Sequence, residues 1–365
     1  MAVILARKYE GPRMARPGEG AEVLRMISGI FPGTRDMGRG WSMLAEYPHL
    51  YGDMEARLDT CFVIRHEGRI VSHCGVYPLD FVAGRARVRC GGIGAVATLD
   101  AFRGRGMMAA LLDYCTDYMR GHGMPVSILW GDRTRYARFG WEPAGEKFEF
   151  RINARSVGTL RRFDDRVVEL RDPSRRAEEL HALHRTVPVR VERSAADFPL
   201  MMLKVGRRVF CAVRGRRITA YALARYWGEG KRSGWSVQEI AGASEGVLAL
   251  YRWFASRPGV DQVHGEVPFA ALPYLQTLFG ATDFWRSSIG CLGQIKIVDR
   301  PGLLGSFQLG RLDRAVGALR WSGLEQARLL FGPLPPRAIL PQGSALRALD
   351  RRLPLPFYLF PSDHV

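Results

Sequence analysis

Lysine is nearly missing from this chain of 365 residues: only five of its 53 basic residues are Lys, and the rest are Arg. Acidic residues are also few, 36 in all, which leaves a formal net charge of +17. An Arg-rich surface can bind phosphate, nucleic acid or anionic lipid. Here the charges are dispersed and no uninterrupted basic run occurs, which argues against a nucleic-acid-binding tail. The six cysteines include no CxxC pair and most sit in apolar surroundings, so they read as reduced core thiols. His181 and His184 stand i, i+3 on a helical stretch, but nothing completes a zinc set, and His73 and His122 have no ligand spacing. No metal is expected. No apolar run approaches the roughly 20 residues of a membrane span, and the stretch Met1–Lys8 is too short in apolar residues for a signal peptide. The expectation is a reduced, cytoplasmic protein with no membrane partner.

What is present is ample apolar material, 47% of residues, enough for two or three domains with real cores. Val3–Arg7 reads as an opening strand, 21–30 as a helix and 41–51 as a short helical segment. Cys61–Arg65 and Ile70–Pro78 flank a turn, His66-Glu67-Gly68-Arg69, and Leu79–Cys90 continues with a bend at Gly84. Gly91–Thr98 is a small-residue strand, Leu111–Arg120 lies in an amphipathic helix, and Val126–Trp130 is a buried strand. Residues 148–152 close this unit. A second unit repeats the order of strand, helix, hairpin, strand, helix, strand and helix, which suggests internal duplication. The expected divisions are 1–150, 151–290 and 291–365, the last ending in the apolar tail LPLPFYLFPSDHV.

The stretch that carries chemistry is GGIGAVATLDAFRGRGMMAALLDYCTDYM. A strand ends at Thr98, a loop with Arg103, Gly104, Arg105 and Gly106 follows, and a helix begins. The first amides of a helix lack intrahelical partners and its dipole favours an anion there. Glycines let the backbone approach closely, and arginines add charge-assisted bonds. The arrangement reads as a diphosphate site. Gly104 to Ala109 also fit G-x-G-x-x-A, but Leu99–Arg103 intervene between strand and first glycine, and a hairpin precedes them, which argues against a dinucleotide fold. No GxxxxGK[ST] occurs, which excludes a P-loop.

Arg103-Gly104-Arg105-Gly106-Met107-Met108 resembles the R/Q-x-x-G-x-G/A loop of the GNAT superfamily of acetyltransferases, with Met108 in place of the small residue. Tyr136-Ala137-Arg138-Phe139-Gly140-Trp141 is similar to that family's Y-x-R-F-G-aromatic signature. The whole chain resembles the enhanced-intracellular-survival (Eis) type. That type has tandem GNAT units and a sterol-carrier-protein-like C-terminal domain, a large residue at the place of Met108, V-A-x before the loop (Val96-Ala97-Thr98), and an Asp-His-hydrophobic end (Asp363-His364-Val365). Residues 291–365 are shorter than such a domain.

The resemblance implies an α/β (α+β) fold: two tandem GNAT-like mixed sheets flanked by helices, plus a small C-terminal α/β region. It implies acetyl-CoA as co-substrate, bound by Val96, Ala97 and Thr98 along the strand. Arg103, Gly104, Arg105, Gly106, Met107, Met108 and Ala109 would wrap the pyrophosphate, and Gly131 and Asp132 would line the other side. Tyr136 matches the general acid, and the carboxylate of Val365 would be the base, with Asp132, Asp363 and His364 as alternatives. The acceptor would be an amine of a small molecule, aminoglycoside-like, or a lysine; homo-oligomerisation is left open. In the second unit Ala241–Gly246 stands where the phosphate loop should be and lacks the arginines, so that unit is expected to bind no CoA and to wall the acceptor site. The rival readings are a non-catalytic nucleic-acid-binding or regulatory protein that keeps an acetyl-CoA fold, and tRNA-dependent aminoacyl transfer by tandem GNAT units.

Overall fold

The turn at Glu67-Gly68 sets the first sheet. Both residues have positive φ (49° and 75°), which suits the two-residue hairpin whose twist matches its strands. It joins β2 (Cys61–His66) to β3 (Arg69–Ala83), and β4 (Ala86–Thr98) returns antiparallel to β3. The stretch read as a bend at Gly84 followed by a separate strand at Gly91 is thus one long hairpin arm, with Gly84 (φ 58°) in its turn. The computed structural model describes residues 9–31, 42–229, 232–268, 275–289, 293–342 and 351–365, so the expected strand Val3–Arg7 lies outside the described residues.

The first sheet is completed by β1 (Glu10–Met14), β5 (Val126–Leu129), β6 (Glu142–Pro143) and a strand from far along the chain, β15 (Gln294–Ile297), in the order β1-β2-β3-β4-β5-β15-β6. A short strand, β9 (Val189–Glu192), adds to the far end of β3. Only β4 and β5 run parallel. The second sheet takes β7 (Glu146–Ile152), β8 (Arg166–Leu170), β10 (Arg207–Arg214), β11 (Arg217–Glu229), β12 (Arg232–Gly242), β13 (Gln262–Pro268) and β14 (Phe284–Ile289), in the order β14-β7-β13-β12-β11-β10-β8. Its single parallel pair is β12 with β13.

Two expectations need correcting. Residues 148–152, read as closing the first unit, lie in β7 and pair with β13 and β14 of the second sheet. The region 291–365, expected as a small α/β unit, supplies one strand, β15, and it pairs with β5 and β6 of the first sheet. The first unit thus gives a strand to the second sheet, and the C-terminal region gives one to the first. The described remainder of the C-terminal region forms the helices Arg300–Ser306, Asp313–Ala318 and Gly323–Phe331, short turns and an irregular tail, with no sheet of its own.

The helix α1 (Met107–Gly121) buries Met107, Leu111, Leu112, Cys115 and Met119, an apolar stripe at helical spacing. They meet Phe62, Val76 and Ile93 of the first sheet. The apolar tail is docked: Leu353, Leu355, Phe357, Tyr358, Leu359 and Phe360 are all buried, and Phe357 packs on Phe81 and Phe331.

Candidate active site

The site begins where β4 and β5 part. Their parallel ladder ends at Ile93 opposite Leu129, and β4 runs on to Thr98. Just past that point β4 carries a bulge: Ala95 and Val96 face the single residue Cys74 of β3, and Ala95 adopts φ 48°. Bulges of this kind re-aim a strand beside functional sites. His73, fully buried, bonds through Nδ1 to the Ala95 carbonyl at 2.8 Å. Burial lowers its pKa to about 4, so the ring is neutral and donates that bond. The sequence reading had set His73 aside; its task is to hold the bulge.

After Thr98 the chain reaches the Arg-Gly loop. Gly104 (φ 75°) and Gly106 (φ 79°) are both left-handed, a conformation that other residues adopt at a cost. Gly106 caps α1 without a side chain, so the first amides of the helix stay open. Arg103 pairs with Asp100, and Arg105 bonds Tyr9 and the Ala101 carbonyl. A cavity of about 1080 Å³ runs along this loop, lined by Val96, Ala97, Thr98, Arg103 and all residues from Gly104 to Ala109. Arg135 and Arg138 face it from the other side, two cations that the sequence reading did not assign.

A second cavity, about 440 Å³, continues from the first and shares Ile30, Phe31, Val96 and Arg135 with it. It holds Gly131, Asp132, Tyr136 and Val365. Of the residues assigned from the sequence to acetyl-CoA, acid or base, all but the alternative base Asp363 line one of two adjoining cavities. Tyr136 is buried, which raises its phenol above the ordinary value. Gly131 makes room for it: a Cβ there would stand 2.6 Å from the Tyr136 ring. Gly131 also accepts a bond from Gln294 of β15. Trp141 is fully buried and donates to Ser127, which in turn bonds the Gly91 carbonyl, so the aromatic end of the signature ties β5 to β4.

The carboxyl group of Val365 packs against β4. A Cβ added to Gly94 would lie 2.9 Å from its carbon and 3.1 Å from its oxygen. The tail is held from the second unit. Arg193, buried, clasps Glu239 of β12 with two bonds of 2.9 and 2.7 Å and donates to Asp363 and to the Ser362 hydroxyl, each at 2.9 Å. Burial pushes the Glu239 carboxyl up, but Arg193 outweighs it and holds the group well below the usual carboxylate range. Lys204 donates to the Ser362 carbonyl at 2.6 Å, and Tyr47 bonds His364 Nδ1 at 2.6 Å.

The alternative bases fare less well. Asp132 accepts from the Thr134 amide and hydroxyl and caps the short helix Arg133–Tyr136. Asp363 is committed to Arg193. His364 is neutral, its pKa lowered to about 3 by burial and then by the charges of Lys204 and Arg207. Its Nδ1 is engaged with the Tyr47 hydroxyl.

Residues 12–144 match the family model described as an acetyltransferase (GNAT) domain. The chain carries a GNAT domain. The chain is 29% identical over 101 residues to an aminoglycoside 2'-N-acetyltransferase of Mycolicibacterium fortuitum, a stretch that is 27% of this chain and about half (49%) of that protein. Among solved structures, a GCN5-related N-acetyltransferase from Anabaena variabilis superposes with a TM-score of 0.63 at 16% identity, covering 82% of this chain and 74% of its own. Eis1 from Mycobacterium abscessus superposes with a TM-score of 0.55 at 20% identity, covering 80% and 75%. The GNAT domain thus sits in a two-sheet fold like that of Eis1. No group of three or more His, Cys, Asp or Glu that could hold a metal, and no helix long and apolar enough to cross a membrane, occurs among the described residues.

Proposed function

We propose that the protein is an acetyl-CoA-dependent N-acetyltransferase acting by direct transfer to an amine. The observation that carries this reading is the continuous groove from the left-handed glycines Gly104 and Gly106, past the parting of β4 and β5, to Tyr136 and Val365. The diphosphate would lie on the open amides of α1, with Arg103, Arg105, Arg135 and Arg138 around it. The pantetheine arm would run along Val96–Thr98, and a strand amide there would stabilise the oxyanion.

A neutral amine nitrogen attacks the thioester carbonyl. The C–N bond forms, the C–S bond breaks, the Val365 carboxylate takes the proton that the nitrogen loses, and Tyr136 gives one to the departing sulfur. The products are an N-acetyl amide and CoA. A buried phenol stays protonated at neutral pH and suits the acid role.

The second sheet takes no CoA in this reading. Only Ala243 separates β12 from the helix α2 (Ser244–Ala255), and the first turn of α2 carries Glu245, paired with Arg161 and Arg214. An acid stands where a phosphate would. The second unit instead anchors the tail; contrary to expectation it gives the acceptor cavity no wall among the described lining residues, which come from the first unit and from His364 and Val365, and 291–365 serves the first sheet. The acceptor is an amine of a small molecule or of a lysine side chain.

Calorimetric titration with acetyl-CoA tests the reading, wild type beside Arg103→Glu/Arg105→Glu. Micromolar binding that the double reversal weakens at least tenfold is expected. Absence of binding to the wild-type protein sinks the reading and leaves the basic surface as a nucleic-acid lead, for which steeply salt-dependent DNA binding would be the sign.

A further inference from the structure

The cavity beyond the thioester end has a composition of its own. Its described walls include Ile30, Phe31, Met43, Tyr47 and Trp130. Its described charged lining amounts to Asp132, Arg135 and the Val365 carboxyl. Asp132 is turned to Thr134, and Arg135 opposes it in sign. The acids just behind the cavity are committed as well: Glu46 pairs with Arg207 at 2.6 Å, and Glu239 and Asp363 with Arg193. Lys204 stands 5.2 Å from the Tyr47 ring centroid, and burial lowers its pKa to about 7, so the acids behind the cavity are matched by Arg193, Arg207 and this lysine.

We infer that the acceptor is a small primary amine carrying one positive charge on an apolar or aromatic body, and not a polycation. This rests on the acetyltransferase reading and narrows its acceptor. An amine of this kind meets the Val365 carboxyl with its nitrogen and the faces of Trp130 and Tyr47 with its body, where aromatic rings favour both an apolar group and a passing ammonium. His364 fixes both rings: it bonds the Tyr47 hydroxyl and meets Trp130 edge to face at 4.2 Å. A second or third ammonium would be desolvated against Ile30, Phe31, Met43 and Trp130, and the described carboxylate left to it, Asp132, shares the lining with Arg135 and accepts twice from Thr134, which is costly. Size agrees, because the 440 Å³ must also admit the thioester end along Ile93–Val96, and an amino-sugar trisaccharide needs more room.

The full chain, saturated with acetyl-CoA, is assayed for thiol release with phenethylamine, spermidine and kanamycin. The expected result is a kcat/KM for phenethylamine at least tenfold above either polycation, with Trp130→Ala raising the phenethylamine KM about tenfold while acetyl-CoA binding by calorimetry is unchanged. A kcat/KM for spermidine or kanamycin equal to or above that for phenethylamine overturns the inference and leaves the acetyltransferase reading standing. Turnover of none of the three also overturns it; acetyl-CoA binding in the same preparation then separates that failure from failure of the acetyltransferase reading itself.

Discussion

Burial raises the Tyr136 phenol above its ordinary value of about 10. The acid form therefore persists through neutral and mildly alkaline pH, and loss of the proton cannot produce a falling rate below about pH 10. Tyr136→Phe should lower kcat about a hundredfold, within the usual range for a general acid, and leave the KM for acetyl-CoA nearly unchanged; stopped-assay kinetics over pH 6–10 check both points. Gly94→Ala makes a second prediction. Its new methyl would meet the Val365 carboxyl carbon at 2.9 Å, closer than side chains tolerate, and should displace that group. A fall in kcat of at least tenfold is expected, with far-ultraviolet circular dichroism unchanged. Full activity in this variant would remove Val365 from the reaction. These residues were legible because the phosphate loop and the tyrosine signature are local in sequence. Arg193, Tyr47 and Trp130 were not, because nothing near them announces a task. Tyr47 acquires one only through His364, 317 positions away.

At the scale of elements, the clamp on the tail is the testable unit. Arg193 faces two carboxylates with its side chain almost wholly out of water. Removing one member of such a set leaves uncompensated buried charge and costs about 3–5 kcal/mol. Arg193→Met should lose stability of that order in urea unfolding and should also lower kcat, while the acetyl-CoA Kd stays within about twofold, since the phosphate loop is elsewhere. Unchanged kcat would mean that apolar packing alone seats the tail. The docking of LPLPFYLFP was readable from its apolar composition; its polar anchor was not, since Arg193, Glu239 and Asp363 sit on three separate stretches that only the fold unites. The bulge at Ala95 was equally hidden, because a small-residue strand gives no sign of which residue its neighbour skips.

For the whole molecule, the placement of β7 in the second sheet and of β15 in the first joins three stretches that the sequence divided at residues 150 and 290. Alternating side chains identify a strand but not the sheet it joins, so Phe148–Ile152 was assigned by position in the chain and not by partner. The largest buried cluster likewise spans both units, with Val63 and Cys90 beside Val209, Tyr221 and the tail. Calorimetric melting should show one transition. A fragment of residues 1–150 should not fold, since it lacks β15 and carries β7 without a partner; a cooperative melt of that fragment would overturn the shared-core account.

Synthesis on the ribosome gives the placement of β15 a temporal side. β5, an apolar Val-Ser-Ile-Leu, has β4 on one side and waits for β15 on the other. Some 165 residues separate the two strands, on the order of ten seconds of elongation at ordinary rates. Throughout that interval the groove-forming sheet has a bare hydrophobic edge, the sort that recruits stray strands. The nascent protein therefore passes through a stage in which its future groove-forming sheet is its stickiest part, and the yield of folded protein depends on what shields β5 until Gln294–Ile297 arrives.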